Sequence, residues 1–430
     1  MKMKCFLLVS IAATLLAHPF LAAGQDFNKK KEFYIKGGTV YTITGGTIVE
    51  GCLLIKEGKI HKVGRNLILP ENVKVIDASG KWIMPGFVVA HTGSMAFREL
   101  IPQDRNPEIQ KYLNPFDMAI EYCLASGITT YCPNPDASRY SRSKKKNYSF
   151  RNAVLKTTYG NLEEMFIKEP AYLFVDITAL TLSEKDELRE SFLKAGDYIR
   201  QRSEMESSLK SGDRKEPVLK PDIKLFVEVL SGDLPVRFKA DKDDDIRKVL
   251  AFVDEFGING QILGAAEGWL LADEIGRRNI STILQPEQYI AQDPYVVPAN
   301  GSNIQNAWIQ RRKGIKFAII PTSPSMDTRI GGQIGDDLLT FPLAGAFAVR
   351  GGLSEKDALE ALTIRPAELL GMAHRIGSLT EGKDADIIIL DGNPLDYRTY
   401  VEYTIVNGEI LYSKKDFRIF QKISKPEKLF

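Results

Sequence analysis

An apolar run, Phe87-Val-Val-Ala90, leaves a Met84-Pro-Gly86 turn and stops on a histidine, His91. From residue 87 to residue 372 strand-like and helix-like stretches then alternate, which predicts a parallel sheet. Strand-like stretches fall at 127–132, 171–179, 224–230, 235–240, 260–263, 280–284 and 316–320; helix-like ones fall at 118–126, 183–211, 243–256, 267–277 and 338–350. That is close to enough for a distorted (β/α)8 TIM barrel in an α/β chain. In such a barrel the C-terminal tips of the strands carry the chemistry. Ser354 and Asp357 have capping-box spacing and Pro366 suits a helix start, so two more helices end this region.

Both ends of the chain read differently. Short strands at 33–36, 39–43, 47–55, 59–63 and 73–77 are separated by Gly37-Gly38, Gly45-Gly46 and Glu57-Gly58 turns. Near the other end, 385–390 is an apolar strand and 403–412 a hairpin turning at Asn407-Gly408, a dipeptide that tolerates the positive φ of a type I′ turn. Strands so short need a partner sheet. The expected organisation is a small β-sandwich domain formed by both termini, residues 25–86 and 373–430, with the barrel of residues 87–372 inserted between them.

A hydrophobic fraction of 44% and a charged fraction of 26% are ordinary for a folded globular chain, which argues against disorder and against several membrane spans. Residues 1–24 stand apart: Lys2 and Lys4 precede an apolar stretch at 5–17, and Ala22-Ala23-Gly24 follow, the layout of a cleaved signal peptide. The stretch is short for a bilayer span. A secreted or periplasmic product is expected, with no transmembrane span after cleavage. Removing the segment takes away two lysines and no acids, and a chain with 57 basic and 55 acidic residues becomes formally neutral. That balance favours no nucleic acid and no acidic membrane as a partner. Cys52, Cys123 and Cys132 lack metal-ligand spacing and read as buried free thiols.

Two long motifs carry a resemblance. Lys81-Trp-Ile-Met-Pro-Gly-Phe-Val-Val-Ala-His91 resembles the first barrel strand of the metal-dependent amidohydrolase superfamily, which ends in a His-x-His pair of metal ligands. Gly352-Leu-Ser-Glu355, Arg365-Pro-Ala-Glu368 and Gly382-Lys-Asp-Ala-Asp386 are similar to its C-terminal signature, where the chain leaves the barrel and rejoins the sandwich. Asn114-Pro-Phe-Asp117, Ser126-Gly-Ile-Thr-Thr130 and Gly264-Ala-Ala-Glu-Gly-Trp269 look closest to the exported, imidazolonepropionase-like branch. The resemblance implies a hydrolytic metal site that lowers the pKa of bound water and polarises a carbonyl. Its ligands would be the His-x-His pair, a lysine or glutamate after the fourth strand, a histidine after the fifth and the sixth, and an aspartate after the eighth.

Carried over residue by residue, the pair reads His91 and Gly93. Phe174 stands for the fourth-strand lysine, Lys239 for the fifth-strand histidine, Leu263 or Gly264 for the sixth, and Thr322 for the aspartate. After the signal segment the histidines are His61, His91 and His374, and only His91 falls at a strand tip. Lysine repels a divalent cation unless burial lowers its pKa, and phenylalanine, leucine and glycine offer no donor. The expectation is a lost metal site with no catalytic residue and no cofactor; the alternative is one divalent metal, zinc or manganese, in a mononuclear site around His91.

The ligand-binding candidates are His91, Asp176, Lys239, Asp241 and Glu267. His91 reads as a remnant ligand or a hydrogen-bonded strand-end residue, and the loss of its partner at Gly93 favours the second. Lys239 reads as a salt-bridged filler, with Asp176 or Asp241 as counter-ion, ahead of an anion-binding group or a lowered-pKa base or nucleophile. Asp176, Glu267 and Asp327 have no spacing that demands a metal. The acid-free run 139–147 reads as a solvated loop ahead of an anion or partner contact over the barrel mouth. Trp269 and Trp308 read as helix-packing residues.

The function expected on this basis is a non-catalytic binding or partner subunit, a pseudoenzyme in a homo- or hetero-oligomer with an active homologue. The alternative is a hydrolase acting on carbon–nitrogen bonds other than peptide bonds, through an atypical or mononuclear site.

Overall fold

The computed structural model describes residues 32–93, 109–135, 147–207, 217–295, 300–323 and 338–416. Residues 1–24, residues 139–146 of the basic run and Asp327 lie outside the described residues.

β-Branched residues punctuated by glycine give five strands near the N-terminus: β1 (Phe33–Tyr41), β2 (Thr47–Lys56), β3 (Lys59–Arg65), β4 (Lys74–Asp77) and β5 (Trp82–Pro85). The first half of β1 pairs in parallel with β4 and its second half with β5, while its other edge runs antiparallel to β2. Glu57 and Gly58 turn β2 into β3 with φ of 51° and 75°, the left-handed pair that a type I′ hairpin needs.

Strand β6 (Phe87–Thr92) follows at once and is buried along its whole length. After it come β7 (Ile128–Pro133), β8 (Tyr148–Ser149), β9 (Val154–Lys156), β10 (Phe166–Lys168), β11 (Leu173–Asp176), β12 (Val236–Ala240), β13 (Gly260–Gly264), β14 (Ser281–Leu284) and β15 (Phe317–Ile319). β6 and β7 are parallel, and β11 to β15 form an unbroken parallel run. β15 packs beside β6, bringing the two arcs together in a TIM-barrel-type arrangement. A uniform eight-stranded ring is not what the hydrogen bonds make: β9 runs antiparallel to β7 and β8 antiparallel to β11. β9 and β10 are also antiparallel, joined by the single helical turn Leu162–Met165, a connection too short for a parallel crossover.

Lys224–Leu230 is a helix, not the strand its apolar residues suggested. Its buried residues, Phe226 and Val229, lie three apart. Phe226 packs edge-on against Phe150 and Phe192 with ring centroids 5.2 and 5.3 Å away. A seven-residue apolar window conceals that helical period. On β12, Phe238 turns outward onto Phe252 of the helix Asp243–Phe256, at 5.5 Å. Its neighbours Arg237 and Lys239 therefore face the other way, into the interior enclosed by the parallel strands.

Helices Phe341–Arg350, Glu355–Leu362 and Ile364–Leu369 lead to β16 (Ile387–Leu390), β17 (Val401–Val406) and β18 (Glu409–Ser413). β16 pairs antiparallel with β5, so both ends of the chain share one eight-stranded sheet in the order β18-β17-β16-β5-β1-β2-β3, with β4 beside β1. The expected sandwich is thus a single hydrogen-bonded sheet. It curls over a common core, since Ile35, Leu53 and Ile60 share a buried cluster with Ile387 and Ile405. The continuity comes from β5, which bonds to β1 on one edge and to β16 on the other.

One buried cation ties this sheet to the strands beside it. Lys156 of β9 donates to Asp384 Oδ2 at 2.6 Å, to Asp386 Oδ1 at 3.1 Å and to Asn407 Oδ1. Arg375 and Lys59 donate to Asp384 as well. Cys52, Cys123 and Cys132 are buried free thiols. Among the described residues no helix is long and apolar enough to cross a membrane.

Candidate functional site

Parallel register stacks the inward side chains in layers. Phe174, Arg237 and Gln261 are in register across β11, β12 and β13, and one step nearer the strand tips lie Asp176, Lys239 and Leu263. Arg237 is completely buried. Its Nη1 donates to the Ala90 carbonyl of β6 at 2.6 Å, its Nε and Nη2 donate to Gln261 Oε1 at 3.0 and 2.8 Å, and its guanidinium lies 3.7 Å above the Tyr172 ring. Gln261 Nε2 in turn donates to Leu369 O at 2.7 Å, so a charge that burial alone would not tolerate is held from several sides.

His91 is enclosed in the same layer. Its Nδ1 lies 3.0 Å from the Tyr172 hydroxyl, and its ring stacks on Phe174 with centroids 6.0 Å apart. Burial first, then the positive charges of Arg237 and Lys239, push its pKa down to about 3. Above it, Lys239 Nζ donates to Asp176 Oδ2 at 2.9 Å, and Asp176 Oδ1 accepts from the Thr178 hydroxyl at 2.7 Å. Of the two acids offered as counter-ion to Lys239, Asp176 makes the contact.

Asp241 lies just past the tip of β12. Burial raises its carboxyl above the usual range, against the opposing pull of Gln288 and of the Lys239 charge. Its Oδ1 is enclosed and has no hydrogen-bond partner among the described residues. That oxygen fills the space a side chain at Gly264 would enter, because a Cβ built there would lie 2.1 Å from it. The space beside Gly264, at the tip of β13, is thus taken by a carboxylate from the residue after β12.

Glu267 does not join the group. It is buried, with Oε2 accepting from the Asp243 N–H and Oε1 from the Gly301 N–H, both at 2.8 Å, so backbone donors hold both of its oxygens. Thr322 sits past β15; its carbonyl accepts from Gln285 Nε2 at 3.0 Å, and its buried hydroxyl has no partner among the described residues. Gly93 follows β6, and a Cβ there would meet nothing within 4 Å among the described residues. Trp269 Nε1 donates to Gly301 O at 2.9 Å, and Trp308 lies under Arg312 at 4.9 Å.

Arg237, Tyr172 and Gln261 organise this interior, yet sequence reasoning passed over them. The available signal was period two: a strand whose Lys239 points inward points Arg237 inward as well.

These residues do not fit a divalent cation. Among the described residues no three His, Cys, Asp or Glu side chains come together, His91 is engaged by Tyr172, and the nearest charges are a guanidinium and an ammonium. A neutral-water reaction here would use fixed positive charge for oxyanion stabilisation and a carboxylate for proton transfer.

Comparison with known proteins agrees with the architecture. The structure superposes on that of an amidohydrolase from Thermotoga maritima with a TM-score of 0.70, at 25% identity, covering 89% of this chain and 100% of the other. The fold is that of the amidohydrolases. Residues 299–420 match the amidohydrolase family model. The chain is similar to the 5'-deoxyadenosine deaminase of Methanobrevibacter smithii, 23% identical over 402 residues and 86% of each chain. A shorter stretch of 94 residues is 37% identical to the imidazolonepropionase of Thermoplasma acidophilum, covering 20% of this chain and 22% of that protein.

Amidohydrolase relatives of this kind, a deaminase matched along most of its length among them, overturn the expectation of a non-catalytic partner subunit. That expectation rested on the histidine count. A count tests one donor set and is blind to other polar groups assembled at the same strand ends.

Proposed function

We propose that the chain is a hydrolase acting on carbon–nitrogen bonds other than peptide bonds, with an atypical site at the C-terminal ends of β6 and β11 to β15. The observation that carries this reading is the similarity to a deaminase along 86% of both chains. The polar groups gathered there support it: His91, Tyr172 and Arg237 are buried, Asp176, Lys239 and Asp241 lie nearer solvent at the strand tips, and packing alone gives no reason to bury the first three. The branch of the superfamily is taken to be the imidazolonepropionase-like one, on the motifs at 114–117, 126–130 and 264–269 and on the short match to an imidazolonepropionase. Export through residues 1–24 belongs to the same reading and rests on their composition.

The test is ammonia or amine release from a panel of adenine, 5'-deoxyadenosine and cyclic amides by the purified full chain. Turnover of at least one panel member is expected, and it should survive exhaustive chelation, because no step here runs through a metal. A chain silent towards the whole panel sinks the hydrolase reading. Activity lost on chelation and restored by zinc or manganese sinks its metal-independent form.

A further inference from the structure

We infer that the substrate of this site carries a carboxylate, and that the Lys239 ammonium at the tip of β12 binds it. The inference rests on the hydrolase reading above and names a substrate class for the same site.

Charged groups at the strand tips are presented to solvent unequally. Lys239 has 46% of its side chain accessible. Its ammonium carries three protons, and the one hydrogen bond it makes among the described residues goes to Asp176 Oδ2 at 2.9 Å. Two donors are left for a ligand, and a carboxylate offers two oxygens to receive them.

The acids around it are enclosed or already engaged. Asp176 has 17% of its side chain accessible, with Oδ2 holding Lys239 and Oδ1 accepting from the Thr178 hydroxyl at 2.7 Å. Asp241 Oδ1 is enclosed against Gly264, and the Gln288 side chain and the Ala266 N–H hold the carboxylate. Both carboxylate oxygens of Glu287, in the turn after β14, are enclosed. Glu267 gives its two oxygens to backbone N–H groups. A ligand arriving at this group of residues meets the ammonium first.

A second cation lies beneath it. Arg237 stands two residues before Lys239 on the same face of β12 and is fully enclosed. Its acceptors are the Ala90 carbonyl and Gln261 Oε1, both neutral, and no carboxylate lies within ion-pair reach of it among the described residues. Solvent screens such a charge little, so its field adds to that of Lys239. Both charges bear on His91, whose pKa burial lowers first and the two cations lower further. Water still reaches the Lys239 ammonium, which suits it to holding a charge the substrate already carries more than to meeting one that develops during reaction.

The test is calorimetric titration of the purified full chain with hydantoin and with hydantoin-5-acetate, the same ring without and with a carboxylate. Wild type is expected to bind the charged ring ~10-fold more tightly. That preference should fall to within threefold in Lys239→Met and return in Lys239→Arg. Lys239→Met combined with Asp176→Asn removes both charges, so a preference lost there reports missing attraction, not repulsion by Asp176; melting temperatures report the folding of each variant. Wild type binding the two rings within threefold, wild type failing to bind the charged ring, or a preference surviving in the double variant overturns the inference. Turnover is followed separately on the panel above: a silent panel with the preference intact sinks the hydrolase reading and leaves the carboxylate site in place.

Discussion

Enclosing an imidazole with two cations decides its ionisation. Burial, then Arg237 and Lys239, take His91 down to about 3, whereas an unfolded histidine titrates near ~6.5. Because the folded value is the depressed one, its contribution to stability is complete above the unfolded pKa and drains as pH falls from there toward the folded one. The slope of one proton is at most ~1.4 kcal/mol per pH unit. Denaturant melts at pH 7 and pH 5 should show wild type losing more stability than His91→Gln; parallel losses would mean that His91 is not buried as a neutral base. At this scale the sequence was half legible. It placed His91 and Lys239 at strand tips and offered Asp176 or Asp241 as a partner for the lysine. It did not expose Arg237, because a charged residue inside a short strand reads as solvated, whereas Arg237 is completely enclosed. Nor did it expose where Asp241 packs, since that depends on a side chain Gly264 lacks.

Among the elements, the two hairpin turns show how local chemistry and packing combine. Asn407 and Gly408 have φ of 50° and 71°, and a Cβ on Gly408 would come within 2.7 Å of the Gly58 Cα in the turn between β2 and β3. The Gly408 N–H donates to Ala385 O at 3.0 Å, and the Ala385 N–H donates to Gly58 O at 2.8 Å, so the turns lock together through the strand entering β16. Gly408→Ala should cost more than the ~1–3 kcal/mol of left-handed strain alone. Gly382→Ala is the control, with φ of 86° but nothing within 4 Å. Equal losses of melting temperature in the two variants would dispose of the turn-to-turn contact. Asn407-Gly408 was readable because the turn type dictates the residues. The helix Asp243–Phe256 was readable too: Ile246, Val249, Leu250 and Val253 keep the helical period, and Gly257 closes it at φ 63°. Lys224–Leu230 was not, being too short for its period to emerge before the Phe150, Phe192 and Phe226 packing is known.

For the whole molecule, what couples the curled sheet to the parallel strands is the Lys156 cluster. Lys156 is fully enclosed, Asp386 is as well, and burial has already raised the Asp386 carboxyl against the pull of Lys156. Burial also works to raise Asp384, but Lys156, Lys59 and Arg375 outweigh it and hold the carboxyl at about 2. Removing the central cation strands two carboxylates away from water, and breaking a buried pair from one side costs ~3–5 kcal/mol. Lys59 meets the same Asp384 from a half-exposed position, with 48% of its side chain accessible, and a pair of that kind contributes only ~0–1 kcal/mol. Lys156→Met should therefore destabilise several times more than Lys59→Met in denaturant melts at neutral pH. The lowered Asp384 also sets an acid limit. Its contribution is present above the unfolded carboxylate value of ~4 and is lost as pH falls toward the folded value. Wild type should weaken steeply between those limits, and Lys156→Met, with the main cause of the depression gone, should weaken less. Equal costs for the two lysine variants, or identical acid slopes, would show that the sheet and the strands are held together by their apolar contacts instead.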